Sequence, residues 1–161
     1  YRLLYSEIFI ALHIQKLGGN FVLKVFDLFD YKTIQLLYLL YCHYEKINIY
    51  KPSTSRLSNS EKYIICSSFT GCHADIKKKL RDMFYTCNEI IIHIPESFLH
   101  ELKKYNTSFT ELQMNKIKEI LQTIQISKNH PTFEQIRDAK NWCEKYKLPI
   151  NKNCIYLKSV H

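Results

Sequence analysis

Lys24 and Glu61 are the side chains whose settings suggest proton chemistry. Lys24 lies inside Phe21-Val22-Leu23-Lys24-Val25-Phe26, an otherwise apolar run. Burying an ammonium there is costly, so the lysine either escapes to the strand end or has its pKa lowered, and a lysine of lowered pKa can act as a general base. Glu61 stands at the start of a second apolar run, Tyr63-Ile64-Ile65-Cys66. Between them, Lys51 and Arg56 offer positive charge for a phosphate or phosphodiester, and Ser55 and Ser60 offer hydroxyl donors or shape the loop. Taken singly, each is ordinary: a lone strand lysine usually sits at an edge or snorkels, and the others are surface charges by default. Their order and combination carry the chemistry.

These side chains need a scaffold. Leu4, Ile8, Ala11 and Leu12 recur at helical spacing, and Gly18-Gly19 supplies a stop, so a helix ends near Leu17. Phe21 to Phe26 predicts a strand covered on both faces, and Thr33 to Tyr44 is apolar nearly all round, as in a buried helix. Ile47 to Tyr50 and Tyr63 to Ser67 predict two more strands. Strand, helix, strand is the unit of a parallel sheet, while the linker before the third strand allows it to return antiparallel. The expected fold class is therefore α/β, with two parallel strands plus one antiparallel, followed by helices. If Lys24 lies toward the carboxyl end of its strand, it stands on the rim where open α/β sheets bind ligands.

After Phe69 the texture becomes lysine-rich and helical. Ala74 to Tyr85 places Ile76, Leu80, Met83 and Phe84 on one face, with Lys77, Lys78, Lys79 and Arg81 largely on the other. Asn88 to Ile94 reads as a strand, with Pro95 opening a short helix over Glu96 to Lys104. Ser108 with Glu111 has capping-box spacing ahead of a stripe of Phe109, Leu112, Ile117, Leu121 and Ile124. Thr132 with Gln135 repeats the device ahead of Phe133, Ile136, Cys143 and Tyr146. Both stripes read as core. The division expected is residues 1–70 and a mainly helical extension over 71–161.

A net charge of +8 and a pI near 9.1 favour a polyanionic partner, nucleic acid first. An apolar content of 46% over 161 residues suits one domain with a real core rather than a disordered chain. Cys42, Cys66, Cys72, Cys87, Cys143 and Cys154 are irregularly spaced with no leader before them, which reads as reduced thiols in an intracellular protein. Cys66, Cys72 and His73 lack the second close pair that structural zinc needs, so no metal is expected. No apolar run approaches the roughly 20 residues that span a bilayer.

The run Gly18-Gly19-Asn20-Phe21-Val22-Leu23-Lys24-Val25-Phe26-Asp27, the helix Leu37 to Glu45, and Lys51-Pro52 to Cys66 together resemble the Rossmann-like, FtsJ-type 2′-O-ribose methyltransferases. Asn59-Ser60-Glu61 is more similar to the branch that methylates the first nucleotides of capped messenger RNA than to the ribosomal-RNA branch, which shares Lys-Pro and Ser-Arg. The resemblance covers roughly residues 4 to 68. It implies transfer of a methyl group from S-adenosylmethionine to a ribose 2′-hydroxyl of capped mRNA. By carry-over, Lys24 and Glu61 are the second lysine and the glutamate of a Lys-Asp-Lys-Glu tetrad, while Lys51, Ser55, Arg56 and Ser60 contact RNA. Lys24 would accept or steer the hydroxyl proton, and Glu61 would hold the amine.

The departures are specific. Only Gly18, Gly19 and Gly71 occur, with no Gly-x-Gly segment for the cofactor turn. The tetrad's other members and that turn are expected upstream. The chain thus reads as the C-terminal half of the sheet, inactive alone. The alternatives are a non-catalytic relative that binds capped RNA or a partner, and a ribosomal-RNA 2′-O-methyltransferase.

Overall fold

Alternation of apolar side chains and short turns builds a small sheet backed by helices. The structure, a computed structural model, describes residues 1–86, 91–124 and 131–158. In chain order these form α1 (Arg2–Ile14), β1 (Phe21–Val25), α2 (Tyr31–Tyr41), β2 (Tyr44–Tyr50), β3 (Lys62–Phe69), α3 (Ala74–Thr86), α4 (Glu96–Ile124), α5 (Phe133–Lys145) and α6 (Ile155–Lys158). They pack as two units, Tyr1–Lys118 and Glu119–His161.

The three strands are ordered β1-β3-β2, and both outer strands run antiparallel to β3. The expected parallel pairing is therefore not formed. β1 and β2 share a direction, but β3 inserts between them and takes the hydrogen bonds of both. The loop between β2 and β3 permits this return, and its antiparallel register sets Lys24 opposite Tyr63 and Tyr50 opposite the same Tyr63. At the other end Gly18, at φ +74°, turns the chain so that its N–H donates to Phe69 O at 2.8 Å, and Phe69 N–H donates to Gly19 O at 2.9 Å.

Leu23 and Val25 of β1 and Ile64 and Cys66 of β3 point to one face, where they meet Ile8 and Leu12 of α1 and Leu36 and Leu40 of α2. Each such fully buried side chain contributes about 1.5–3 kcal/mol. The opposite face of β1 carries Val22 and Lys24, both exposed, so β1 is covered on one face and not two. Helix α1 ends at Ile14, earlier than Leu17, and α2 starts at Tyr31 because Asp30 caps it by accepting from Thr33 N–H at 3.0 Å.

Helix α4 differs most from expectation. Glu96 to Lys104 and the segment after Ser108 are one continuous helix of 29 residues, so Ser108 and Glu111 lie inside it and form no cap. Of its apolar stripe, Phe109 is buried, Ile117 half-buried, and Leu112 and Leu121 are exposed. The Ile124 side chain lies outside the described residues. Residues 91–94 are not in a strand, and residues 87–90 lie outside the described residues. In the second unit, Thr132 and Gln135 do form a reciprocal capping box. Phe133 and Tyr146 are exposed and Ile136 and Cys143 only half-buried, so that stripe is not a core within its unit.

Candidate active site

Lys24 is the penultimate residue of β1 and Glu61 the residue just before β3, so antiparallel pairing brings the carboxyl end of one strand to the amino end of the other. The Lys24 ammonium lies 3.1 Å from Glu61 Oε2, and the Tyr63 hydroxyl donates to Glu61 Oε1 at 3.0 Å. Lys24 also stands 5.4 Å from the centroid of the Phe26 ring. The pair faces solvent, with the lysine side chain 49% and the glutamate 21% exposed.

This placement decides between the two settings open to Lys24, in favour of escape toward the strand end. Because Lys24 points away from the core, its pKa is raised, first by the hydrogen bond to Glu61, whose effect exceeds partial desolvation. Glu61 is lowered in turn, by Lys24 and then by Tyr63. Lys24 in this setting is a cation held by a carboxylate. The depression that an apolar strand suggested would require burial on both faces.

Lys51 is placed as the pin of the 52–61 loop. Its ammonium donates to Asn59 O at 2.9 Å, to Asn59 Oδ1 and to Glu61 O at 2.8 Å. A lysine has three donors, so this ammonium keeps its charge but has no further hydrogen bond to offer. Burial lowers its pKa. Asn59 Oδ1 also accepts from Glu61 N–H at 3.2 Å. Arg56 is exposed at the loop's tip, and Ser55 and Ser60 are half-buried in the same loop. The loop turns tightly, with Ser55 N–H donating to Pro52 O and Asn59 N–H to Arg56 O.

Lys62, Phe109 and Tyr63 belong to this constellation but were not singled out in the sequence. Lys62 is 1% exposed and donates to Phe26 O at 2.7 Å and Ser60 O at 3.1 Å, its pKa lowered chiefly by burial. The signal was available: Lys62, Ile64 and Cys66 alternate, and so share the inward face once the strand is extended by one residue.

S-adenosylmethionine would need a close backbone approach beside Lys24. Gly18 is committed to the turn onto Phe69, a Cβ on Gly19 would strike Gln15 Nε2 and Lys16 O, and Gly71 lies against Leu17. The described residues alone do not form that cradle. Among them, no three His, Cys, Asp or Glu side chains converge as metal ligands, and no helix is long and apolar enough to cross a membrane.

Residues 1–69 match the family model of FtsJ-like methyltransferases. The chain is 32% identical over 173 residues to cap-specific mRNA (nucleoside-2′-O-)-methyltransferase 1 of Homo sapiens, which involves 99% of this chain and 19% of that protein. It is 35% identical over 144 residues to cap-specific mRNA (nucleoside-2′-O-)-methyltransferase 2 of Danio rerio, with 83% and 19% covered. Against methyltransferase 2 of Drosophila melanogaster the identity is 42% over 82 residues, 51% of this chain and 12% of the relative. The chain thus spans less than a fifth of the length of these relatives.

Proposed function

We propose, from the match of residues 1–69 to FtsJ-like methyltransferases, that the protein transfers a methyl group to a ribose 2′-hydroxyl of capped mRNA, with Lys24 and Glu61 acting on that hydroxyl. The observation that supports this reading is the Lys24–Glu61 pair at 3.1 Å on the solvent-facing rim of the sheet. S-adenosylmethionine, when bound, supplies an electrophilic methyl group. Its cradle would be formed with residues beyond those described, in keeping with relatives of which this chain spans 19%.

The chemistry of this chain's residues follows from their charge. The ammonium of Lys24 orients the 2′-hydroxyl and stabilises negative charge as it develops on the oxygen. To accept the proton outright, Lys24 must be neutral near pH 7 to 8, well below the ordinary lysine pKa of about 10.4. Glu61 opposes that depression, so a second cation close to Lys24 is required, as the tetrad resemblance implies. Glu61, held by Tyr63, fixes the direction of the amine. Arg56, exposed in the 52–61 loop, would meet the RNA backbone, with the charge of Lys51 behind it.

The deciding experiment measures methyl transfer by the full-length protein to capped transcripts, uncapped transcripts and ribosomal RNA. Transfer confined to capped transcripts and lost in Lys24→Ala is expected. Binding of capped RNA without transfer would replace this reading by a non-catalytic one, and transfer to ribosomal RNA would reassign the substrate.

A further inference from the structure

We propose that helix α4, which lies outside the stretch matched to FtsJ-like methyltransferases, is a positioning element of the Lys24–Glu61 site and acts through Phe109. This inference rests on the catalytic reading of that pair. Asn106, Phe109 and Gln113 are spaced three and four residues apart, and so share one face of α4. That face grips the two segments that flank the pair. Asn106 Nδ2 donates to Leu28 O at 2.8 Å, in the segment just after β1, and Gln113 Nε2 donates to Ser58 O at 3.2 Å, in the loop just before β3.

Between these two bonds lies Phe109, with only 8% of its surface exposed. The ammonium of Lys62 stands 4.1 Å from its ring centroid and that of Lys51 stands 5.7 Å away. These two lysines hold the main chain around Glu61: Lys51 takes Glu61 O and Asn59, and Lys62 takes Ser60 O. Lys62 also takes Phe26 O, two residues beyond Lys24, so one ammonium ties the strand of the lysine to the loop of the glutamate. Two like charges so placed repel one another and lose hydration. The negative face of an aromatic ring compensates where a leucine of similar volume would not. Phe109 therefore keeps both lysines seated, and through them the backbone that aims Glu61 at Lys24.

The test uses the full-length protein with Phe109→Leu, which keeps an apolar side chain of comparable size, and Phe109→Tyr, which keeps the ring. Two quantities are read: kcat and KM for methyl transfer to capped transcript, and amide hydrogen exchange over residues 52–61. The expected result for Phe109→Leu is faster exchange in that loop and a kcat lowered roughly ten- to a hundredfold with KM for RNA little changed, and Phe109→Tyr rescues both. Unchanged exchange in Phe109→Leu overturns the proposal, as does faster exchange with full kcat, or a Phe109→Tyr variant as impaired as Phe109→Leu. If the wild-type protein transfers no methyl group, the catalytic reading fails and the positioning role falls with it, while the exchange arm still reports whether Phe109 secures the loop.

Discussion

Lys24 and Tyr63 are cross-strand partners that hold one carboxylate between them, the ammonium on Glu61 Oε2 and the phenol on Glu61 Oε1. Each oxygen of Glu61 thus has its own donor: the sheet register sets the two donors side by side, and the loop that ends at Glu61 brings the carboxylate to them.

Lys24→Ala removes the group nearest to any bound hydroxyl. Because the side chain is half exposed and faces away from the core, folding and RNA binding stay nearly unchanged while kcat falls by about a hundred- to ten-thousandfold. Transfer of labelled methyl to capped transcript by the full-length variant, beside a thermal melt, checks this. Retained activity removes Lys24 from the mechanism.

Glu61→Gln takes away the charge that raises the Lys24 pKa. The acid limb of the kcat–pH profile then moves to lower pH, while the plateau falls about tenfold through poorer positioning. An unmoved limb would show that Lys24 is not the titrating group.

The same pair gives a signed pH effect on stability. Glu61, lowered below 4.5, contributes stability that is present above 4.5 and lost as the pH falls through its folded value. Lys24, raised above 10.5, contributes stability that is present below 10.5 and lost as the pH rises through its folded value. The melting temperature of Lys24→Met therefore differs from wild type between these limits and converges with it at either extreme. The solvent-facing setting keeps the difference small.

Arg56→Ala weakens binding to single-stranded capped RNA and makes the slope of log K against log salt shallower by about 0.7. A titration series in potassium chloride measures it. An unchanged slope returns Arg56 to the ordinary surface charges.

Among the described cysteines, Cys42 is exposed, whereas Cys66 is buried with its thiol pushed up to about 12 by desolvation. Iodoacetamide at pH 8 should label Cys42 in the native protein and Cys66 only after unfolding, as peptide mapping would show. Equal labelling would contradict the burial of β3.

Periodicity found all three strands and α1 to α3, because each buries a face whose spacing is visible locally. It did not find their order, since pairing depends on a long return that no local pattern encodes. Helix α4 was misread at Asn106-Thr107-Ser108, a polar triplet that looks like a break. In the fold, Asn106 is spent on a tertiary bond to Leu28 O, so the polar residue marks a contact and not an end. Of the site, Lys24 meeting Glu61 was legible from the family resemblance. The charge state of Lys24 was not, because it depends on which sheet face is covered. The loop-holding role of Lys51 and the burial of Lys62 needed the position of Phe109, distant in sequence.

The central place of β3 also bears on how the chain assembles. As synthesis proceeds, β1 and β2 emerge first yet have no hydrogen bonds to each other, and among the described strands pairing begins only when Lys62–Phe69 arrives. Until then both strands present open edges to any neighbouring chain, the period in which aggregation competes with folding. Pulse labelling of stalled ribosome complexes should show protection in β1 and β2 appearing together, in one step, and not in order of synthesis.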